Sequence, residues 1–180
     1  MSQRHRLVLS GSGGQGVITA AIILAEAAVL HEKCNAVQTQ LYGAAARGGA
    51  TRSDVIISDE VINYPKVSQP NILVCLTQQA YTRYAGTIRP GGVLLTDSRF
   101  VTTQRKVDAV QHELPMYESV MAKIGKPIVL NVCVMGALIG LTGIVTLSSV
   151  QKVLQQRLPA AFLEMNRQAL QLGHELAVAA

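Results

Sequence analysis

The stretch RLVLSGSGGQGV, Arg6 to Val17, decides the fold. Arg6-Leu7-Val8-Leu9-Ser10 is short and apolar and runs into glycines, which reads as a buried strand. From Val17 to His31 the sequence VITAAIILAEAAVLH is rich in Ala, Ile and Leu and long enough for a helix. Glu26 is its one charge before the end, so this helix should be buried on most sides. Between strand and helix, Gly11, Gly13 and Gly16 satisfy G-x-G-x-x-G. The first glycine permits a tight turn, the second lets another group approach the backbone, and the third lets helix and strand pack closely. The helix start then offers free N–H groups and a partial positive charge to an anion.

The rest of the dinucleotide fingerprint is missing. A nicotinamide or flavin site wants an Asp or Glu at the end of the second strand, about twenty residues on. Gln38, Thr39 and Gln40 stand there, with no arginine placed for a 2′-phosphate. No Gly-Lys-Ser/Thr follows, so the turn is not a P-loop either. Three readings of Gly11–Gly16 stay open: an anion site, a surface for a partner chain, or glycines that serve only the turn.

Outward from this unit, strand and helix patterns alternate. Asn35–Thr39 reads as a second strand, Ser53–Ser58 as a third, Ile72–Leu76 as a fourth and Val93–Asp97 as a fifth after the turn Pro90-Gly91-Gly92. Thr77 can cap a helix through Arg83, and Pro115 can start one ending at Lys123. A strand is expected near Lys106–His112 and a brief one at Pro127–Val129. Ser148 or Ser149 should cap a helix through Leu158, and Pro159 should start the last. There Phe162, Met165, Ala169 and Leu172 form a helical stripe for core or interface, interrupted by Gly173. The expected fold is α/β: a single Rossmann-like domain over residues 1–180, with a mostly parallel sheet flanked by helices and a helical C-terminal part.

Composition excludes several classes. Charged residues are 15% and apolar residues 49% of 180. A chain so poor in charge is expected to have surface covered by partners. Net charge is +5, but aromatics are 4% with no Trp, so a stacking platform for nucleic acid is not expected. Cys34, Cys75 and Cys133 are far apart and form no Cys-x-x-Cys pair; with no paired histidines, no metal site is expected. No signal peptide is visible, which points to the cytoplasm. Ile128 to Leu147 carries no charge and is long enough to span a bilayer. It lacks flanking aromatics and contains a Gly136/Gly140 pair, so a buried helix in close contact with a neighbour is expected instead of a membrane span. No Ser–His–Asp arrangement can be built around Ser10 or Ser12, and no catalytic residue is expected.

A second glycine segment follows the second strand: Tyr42-Gly43-Ala44-Ala45-Ala46-Arg47-Gly48-Gly49. Together with Gly11-Ser12-Gly13-Gly14-Gln15-Gly16-Val17, in this order, it resembles the gamma domain of 2-oxoacid:ferredoxin oxidoreductases. Asp97, Asn131 to Gly136, and Asn166 to Gly173 resemble further family positions, so the likeness spans nearly the whole chain. The resemblance implies a cofactor-free gamma subunit of an enzyme that oxidatively decarboxylates a 2-oxoacid to acyl-CoA and reduces ferredoxin. It implies thiamine diphosphate, magnesium and iron–sulfur clusters on partner subunits, and as partners the alpha and beta subunits and, where present, a delta subunit. Ferredoxin and coenzyme A are expected at the level of the complex, and a homo-oligomer is open to the isolated chain. Among 2-oxoacids the lean is to 2-oxoglutarate over pyruvate. The candidate anion- or partner-binding residues are Gly11, Gly13, Gly14, Gln15, Gly16, Tyr42, Gly43, Arg47, Gly48 and Gly49. Arg47 and Arg52 are the charges that flank Gly48 and Gly49; Arg47, with the turn at Gly13 to Gly16, faces either a partner or an anionic group such as the coenzyme A phosphates, or only a local carboxylate or carbonyl. The competing readings are a stand-alone Rossmann-like nucleotide-binding domain and a membrane-associated protein.

Overall fold

A computed structural model describes residues 4–41, 51–104 and 106–180. Six strands form one sheet in the order β2-β3-β1-β4-β5-β6. They are β1 (Arg4–Gly11), β2 (Asn35–Leu41), β3 (Thr51–Ser58), β4 (Ile72–Cys75), β5 (Gly92–Asp97) and β6 (Ala109–Leu114). The ladders β1–β4, β4–β5 and β5–β6 are parallel. β3 alone runs against the rest, paired antiparallel with both β1 and β2. Nine residues join β2 to β3, too few for the crossover that a parallel return needs.

The strands bury both faces, as parallel strands covered by helices must. Leu7, Leu9, Val55, Ile57, Val74 and Leu95 face one core; Val8, Ile56, Leu73, Cys75 and Leu94 face the other. The first core is roofed by α1 (Val17–His31), α3 (Met116–Lys123), α4 (Leu130–Thr142), α5 (Leu147–Arg157) and α6 (Ala160–Val178). The second is covered by α2 (Gln78–Tyr84) with Val67 and Val101 from connecting segments. Most of the molecule therefore lies on one side of the sheet.

The long apolar stretch from Ile128 to Leu147 is not one helix. Gly143, with φ +61, closes α4 after Thr142 in the left-handed region. No helix among the described residues is long and apolar enough to cross a membrane. The small residues of α4 serve its crossing with α6. A Cβ at Gly136 would fall on the Leu170 carbonyl, and one at Gly173 would fall on the Cys133 carbonyl. Gly173 thus does not interrupt α6, which runs on to Val178; its lack of a side chain lets the two backbones touch.

Three further expectations are corrected. Pro127–Val129 is a single 3-10 turn leading directly into α4, not a strand; a segment that feeds a helix in this way has no strand beside it to pair with. The cap of α5 is Thr146, one turn earlier than Ser149: its extended backbone aims the hydroxyl at the Ser149 N–H, 3.2 Å away. Ser149 Oγ instead donates to Glu32 Oε1 at 2.6 Å. The sixth strand begins three residues later than the expected one and reaches Leu114.

Candidate functional site

β1 and β4 are adjacent and parallel, and the chain leaves them for opposite faces: α1 roofs the first core and α2 the second. A crevice opens at such a switch point, at the carboxyl ends of the strands, and open α/β sheets bind their ligands there. Gly11–Gly16 forms one lip of this crevice and Leu76–Gln78 the other.

Gln15 joins the two lips. Its Oε1 accepts from the Ser12 N–H at 2.7 Å, and its Nε2 donates to the Leu76 carbonyl at 3.1 Å. Leu76 N–H in turn donates to Ser10 O at 2.9 Å. One side chain therefore closes the turn on itself and ties it to the end of β4. Gly11 makes this possible: a Cβ there would lie 2.5 Å from Gln15 Oε1. Gly16 is needed for two reasons. Its φ is +70, and a Cβ would lie 2.6 Å from Asn131 Nδ2. Asn131, in the first turn of α4, donates to Gly16 O at 3.5 Å.

Gly13 and Gly14 are exposed, with nothing within 4 Å of a Cβ built on either. Gly14 has φ +89. Space alone does not explain glycine at 13; an open backbone surface that admits close approach does. Beside it, α1 starts without a side-chain cap and without an acid in its first turn, so its end carries an uncompensated partial positive charge.

The second glycine segment is anchored next to this turn. Gly11 pairs with Thr51, and Leu41 with Arg52, so both flanks of residues 42–50 leave the sheet at the same end as the turn. Tyr42, Gly43, Arg47, Gly48 and Gly49 themselves lie outside the described residues. Arg52 is turned elsewhere. It forms a two-point ion pair with Asp54, at 2.6 and 3.0 Å, donates to Val67 O at 2.6 Å, and lies 5.0 Å from the centre of the Tyr84 ring. Burial opposes its charge, but the bond and charge of Asp54 outweigh that and hold the guanidinium above its ordinary range. Arg52 thus takes a local carboxylate.

Asp97 has a structural task as well. At the end of β5 it accepts from Arg99 N–H at 2.9 Å and from Tyr117 N–H at 2.7 Å. The second bond caps α3, whose N-cap is Pro115 and has no side-chain acceptor. Burial pushes the Asp97 carboxyl up, and the two N–H groups that favour its charge only partly oppose this. Cys75 and Cys133 are fully buried, and burial pushes both thiols up to about 12. They face different cores, so they cannot share a ligand. Among the described residues no group of three or more His, Cys, Asp or Glu is disposed to hold a metal ion.

Sequence reasoning missed the bridging amide of Gln15 and the Asn131–Gly16 contact. Each residue stands in a motif already singled out, but their partners are 61 and 115 residues away.

A family model described as pyruvate ferredoxin/flavodoxin oxidoreductase matches residues 6–176. The chain is 45% identical over 179 residues to the 2-oxoglutarate synthase subunit KorC of Methanocaldococcus jannaschii, covering 98% of this chain and 96% of that one. It is 40% identical to the same subunit of Methanothermobacter marburgensis, over 96% of each. In three dimensions it is similar to the keto/oxoacid ferredoxin oxidoreductase gamma subunit of Geobacter sulfurreducens, with TM-score 0.87 and 40% identity over 98% of this chain and 99% of that one.

Proposed function

The chain belongs to the pyruvate ferredoxin/flavodoxin oxidoreductase family, and from that premise we propose that it is the gamma subunit of a 2-oxoglutarate:ferredoxin oxidoreductase. The reaction of the whole complex is oxidative decarboxylation: a 2-oxoacid and coenzyme A give acyl-CoA and carbon dioxide, and two electrons pass to ferredoxin. The observation that carries the reading is likeness along nearly the full length of both chains to a 2-oxoglutarate synthase subunit. Residues 1–180 act as one gamma-type domain, in the cytoplasm, with alpha and beta partners and, where present, a delta partner.

The donor set of this chain does not fit an iron–sulfur cluster. Its two fully buried thiols lie on opposite sides of the sheet, and Cys34 is the one further cysteine, too few for the four thiolates a cluster takes. In this reading the clusters, like thiamine diphosphate and its magnesium ion, are carried by the partners. What this chain contributes is a shaped surface. The open backbone at Gly13 and Gly14, held by Gln15, and the segment with Tyr42, Gly43, Arg47, Gly48 and Gly49 face a partner subunit or an anionic group such as the phosphates of coenzyme A. The uncapped start of α1 favours the anion.

The test is recovery of the tagged chain from its own cells. Thiamine- and cluster-bearing partners should come with it, and the material should reduce ferredoxin when given 2-oxoglutarate and coenzyme A. A lone chain carrying a bound nucleotide would sink the reading. Replacing Arg47 with Ala should raise the KM for coenzyme A or weaken assembly. If both stay unchanged, the anion and partner roles of that segment are wrong.

A further inference from the structure

We propose that the amino-terminal end of the sheet, on its α2 side, docks a carboxylate-rich segment of another subunit of the complex, with Arg4, Arg6 and Arg89 as the charged contacts. This rests on the reading of the chain as a gamma subunit. It concerns a second surface, at the other end of β1 from the glycine turn, roughly 20 Å away along the strand.

Side chains alternate along β1. Leu7 and Leu9 face the first core and Val8 the second, which places Arg4 and Arg6 on the α2 side with Val8. Backbone bonds bring Arg89 beside them. Arg6 N–H donates to Asn71 Oδ1 at 2.6 Å, Asn71 N–H returns a bond to Arg6 O at 3.0 Å, and Arg89 N–H donates to Pro70 O at 2.8 Å. Arg4 Nη2 donates to Val61 O at 3.0 Å, while its Nε is buried without a partner.

Among the described residues none of the three arginines has an ion pair within 4 Å. Among the described residues the ion pairs within 4 Å are Arg52–Asp54, Arg99–Glu118, Arg157–Glu26 and Arg167–Glu164. Arg52, on the same side of the sheet, shows how an arginine looks here when the chain satisfies it: two carboxylate contacts, a carbonyl and a ring face. Arg6 is half-buried and lacks any of these. Burial first, then the like charges of Arg89 and Arg4, hold it below the ordinary arginine range. Like charges held side by side repel one another, and a counter-charge from outside removes that cost.

The neighbouring segment marks a protein partner, not a small anion. Residues 59–70 cross the α2 side, pinned by Arg4 at Val61 and by Arg52 and Asp54 at Val67. That pinned segment leaves Val61 71% and Tyr64 67% exposed. Arginine with exposed aromatic and aliphatic groups is the composition of a protein interface. Arg4 and Arg6 are two residues apart on a strand, roughly 7 Å, the spacing of alternate side chains on an extended peptide.

The experiment uses the whole complex, assembled with wild-type chain, Arg89→Gln, or the double variant Arg6→Gln/Arg89→Gln. Affinity for the remaining subunits is measured over a series of sodium chloride concentrations, and the Tm of each free chain is recorded. The double variant should bind roughly tenfold more weakly and lose much of its salt dependence, and the exposed single change should do so in part. The Tm of the free double variant should stay level or rise, since repulsion is relieved. Equal affinity and equal salt dependence would overturn the proposal, as would a lowered Tm. So would inorganic phosphate raising the Tm of the wild-type chain and not of the double variant, which would identify a small-anion site. If the variants abolished self-association of the free chain, the occupant would be a second copy, and the proposal would also fall. Failure of the wild-type chain to assemble with any subunit would overturn the proposed function, and this surface with it.

Discussion

Gln15 and Glu32 show how far one side chain reaches in this protein. The Gln15 amide uses both ends: acceptor to Ser12, donor to Leu76. Glutamate keeps the first bond and turns the second into a carboxylate facing a carbonyl. Gln15→Glu should therefore cost about 1–3 kcal/mol, as loss of a half-buried donor does, and alanine should cost less where water reaches the turn. Urea denaturation of the two variants checks the order; alanine as the worse of the two would refute the bridging role. Glu32, past the end of α1, accepts from Ser149 Oγ, Thr146 N–H and Thr146 Oγ1. The Ser149 hydroxyl first, then the Thr146 N–H, hold its carboxyl below the usual value of 4.5. A depressed carboxylate stabilises the fold at pH above that ordinary value, and the stabilisation is lost as pH falls through the lower folded value. Glu32→Gln should lower stability at neutral pH by an amount typical of a lost cap, about 1 kcal/mol, read by urea denaturation. The difference from wild type should shrink as the pH falls below 4.5, and a gap constant down to strongly acid pH would contradict it.

At the level of elements, the crossing of α4 and α6 is the tightest joint in the fold. Gly136 and Gly173 each place backbone where a Cβ would stand, and backbone has no rotamer with which to yield. Gly136→Ala or Gly173→Ala should destabilise by about 1–3 kcal/mol or more through overpacking. Gly13→Ala, with open space around it, should cost far less. Equilibrium unfolding of the three variants tests this ranking, and a neutral Gly136→Ala would show that the helices can slide apart. The elements also explain why the sequence misled in places. Pro127 and Thr146 obey local rules, but the helix that follows claims Pro127–Val129, and Glu32 claims Ser149.

At the scale of the molecule, the sheet is covered unequally. Five helices roof one face and α2 the other. β1, β3, β4 and β5 have neighbours on both sides, whereas β2 and β6 are edges among the described strands. Amide hydrogen exchange should therefore be slowest in β1, β4 and α4 and faster in β6 and α2, because edges open without disrupting the core. Uniform protection across the sheet would argue that the thin face is as firmly held as the thick one. The same asymmetry separates the two candidate surfaces: the glycine turn lies at the carboxyl ends of the strands and the arginine group at their start.

The sequence by itself determined the local units: the strand–turn–helix from Arg6 to His31, the capped start of α2 at Thr77, and the buried helix hidden in the long apolar stretch. These follow from periodicity, glycine conformation and capping, which act within a few residues. It also carried the family, because two glycine segments and three further motifs occur in order. The tertiary structure alone decided that β3 runs antiparallel between β1 and β2, that Gln15 spans the crevice to β4, that Arg52 belongs to Asp54, and that Arg4, Arg6 and Arg89 gather with no ion pair among the described residues. Each of these depends on residues far apart in the chain, and local chemistry does not say which distant partner a charge or an amide will meet.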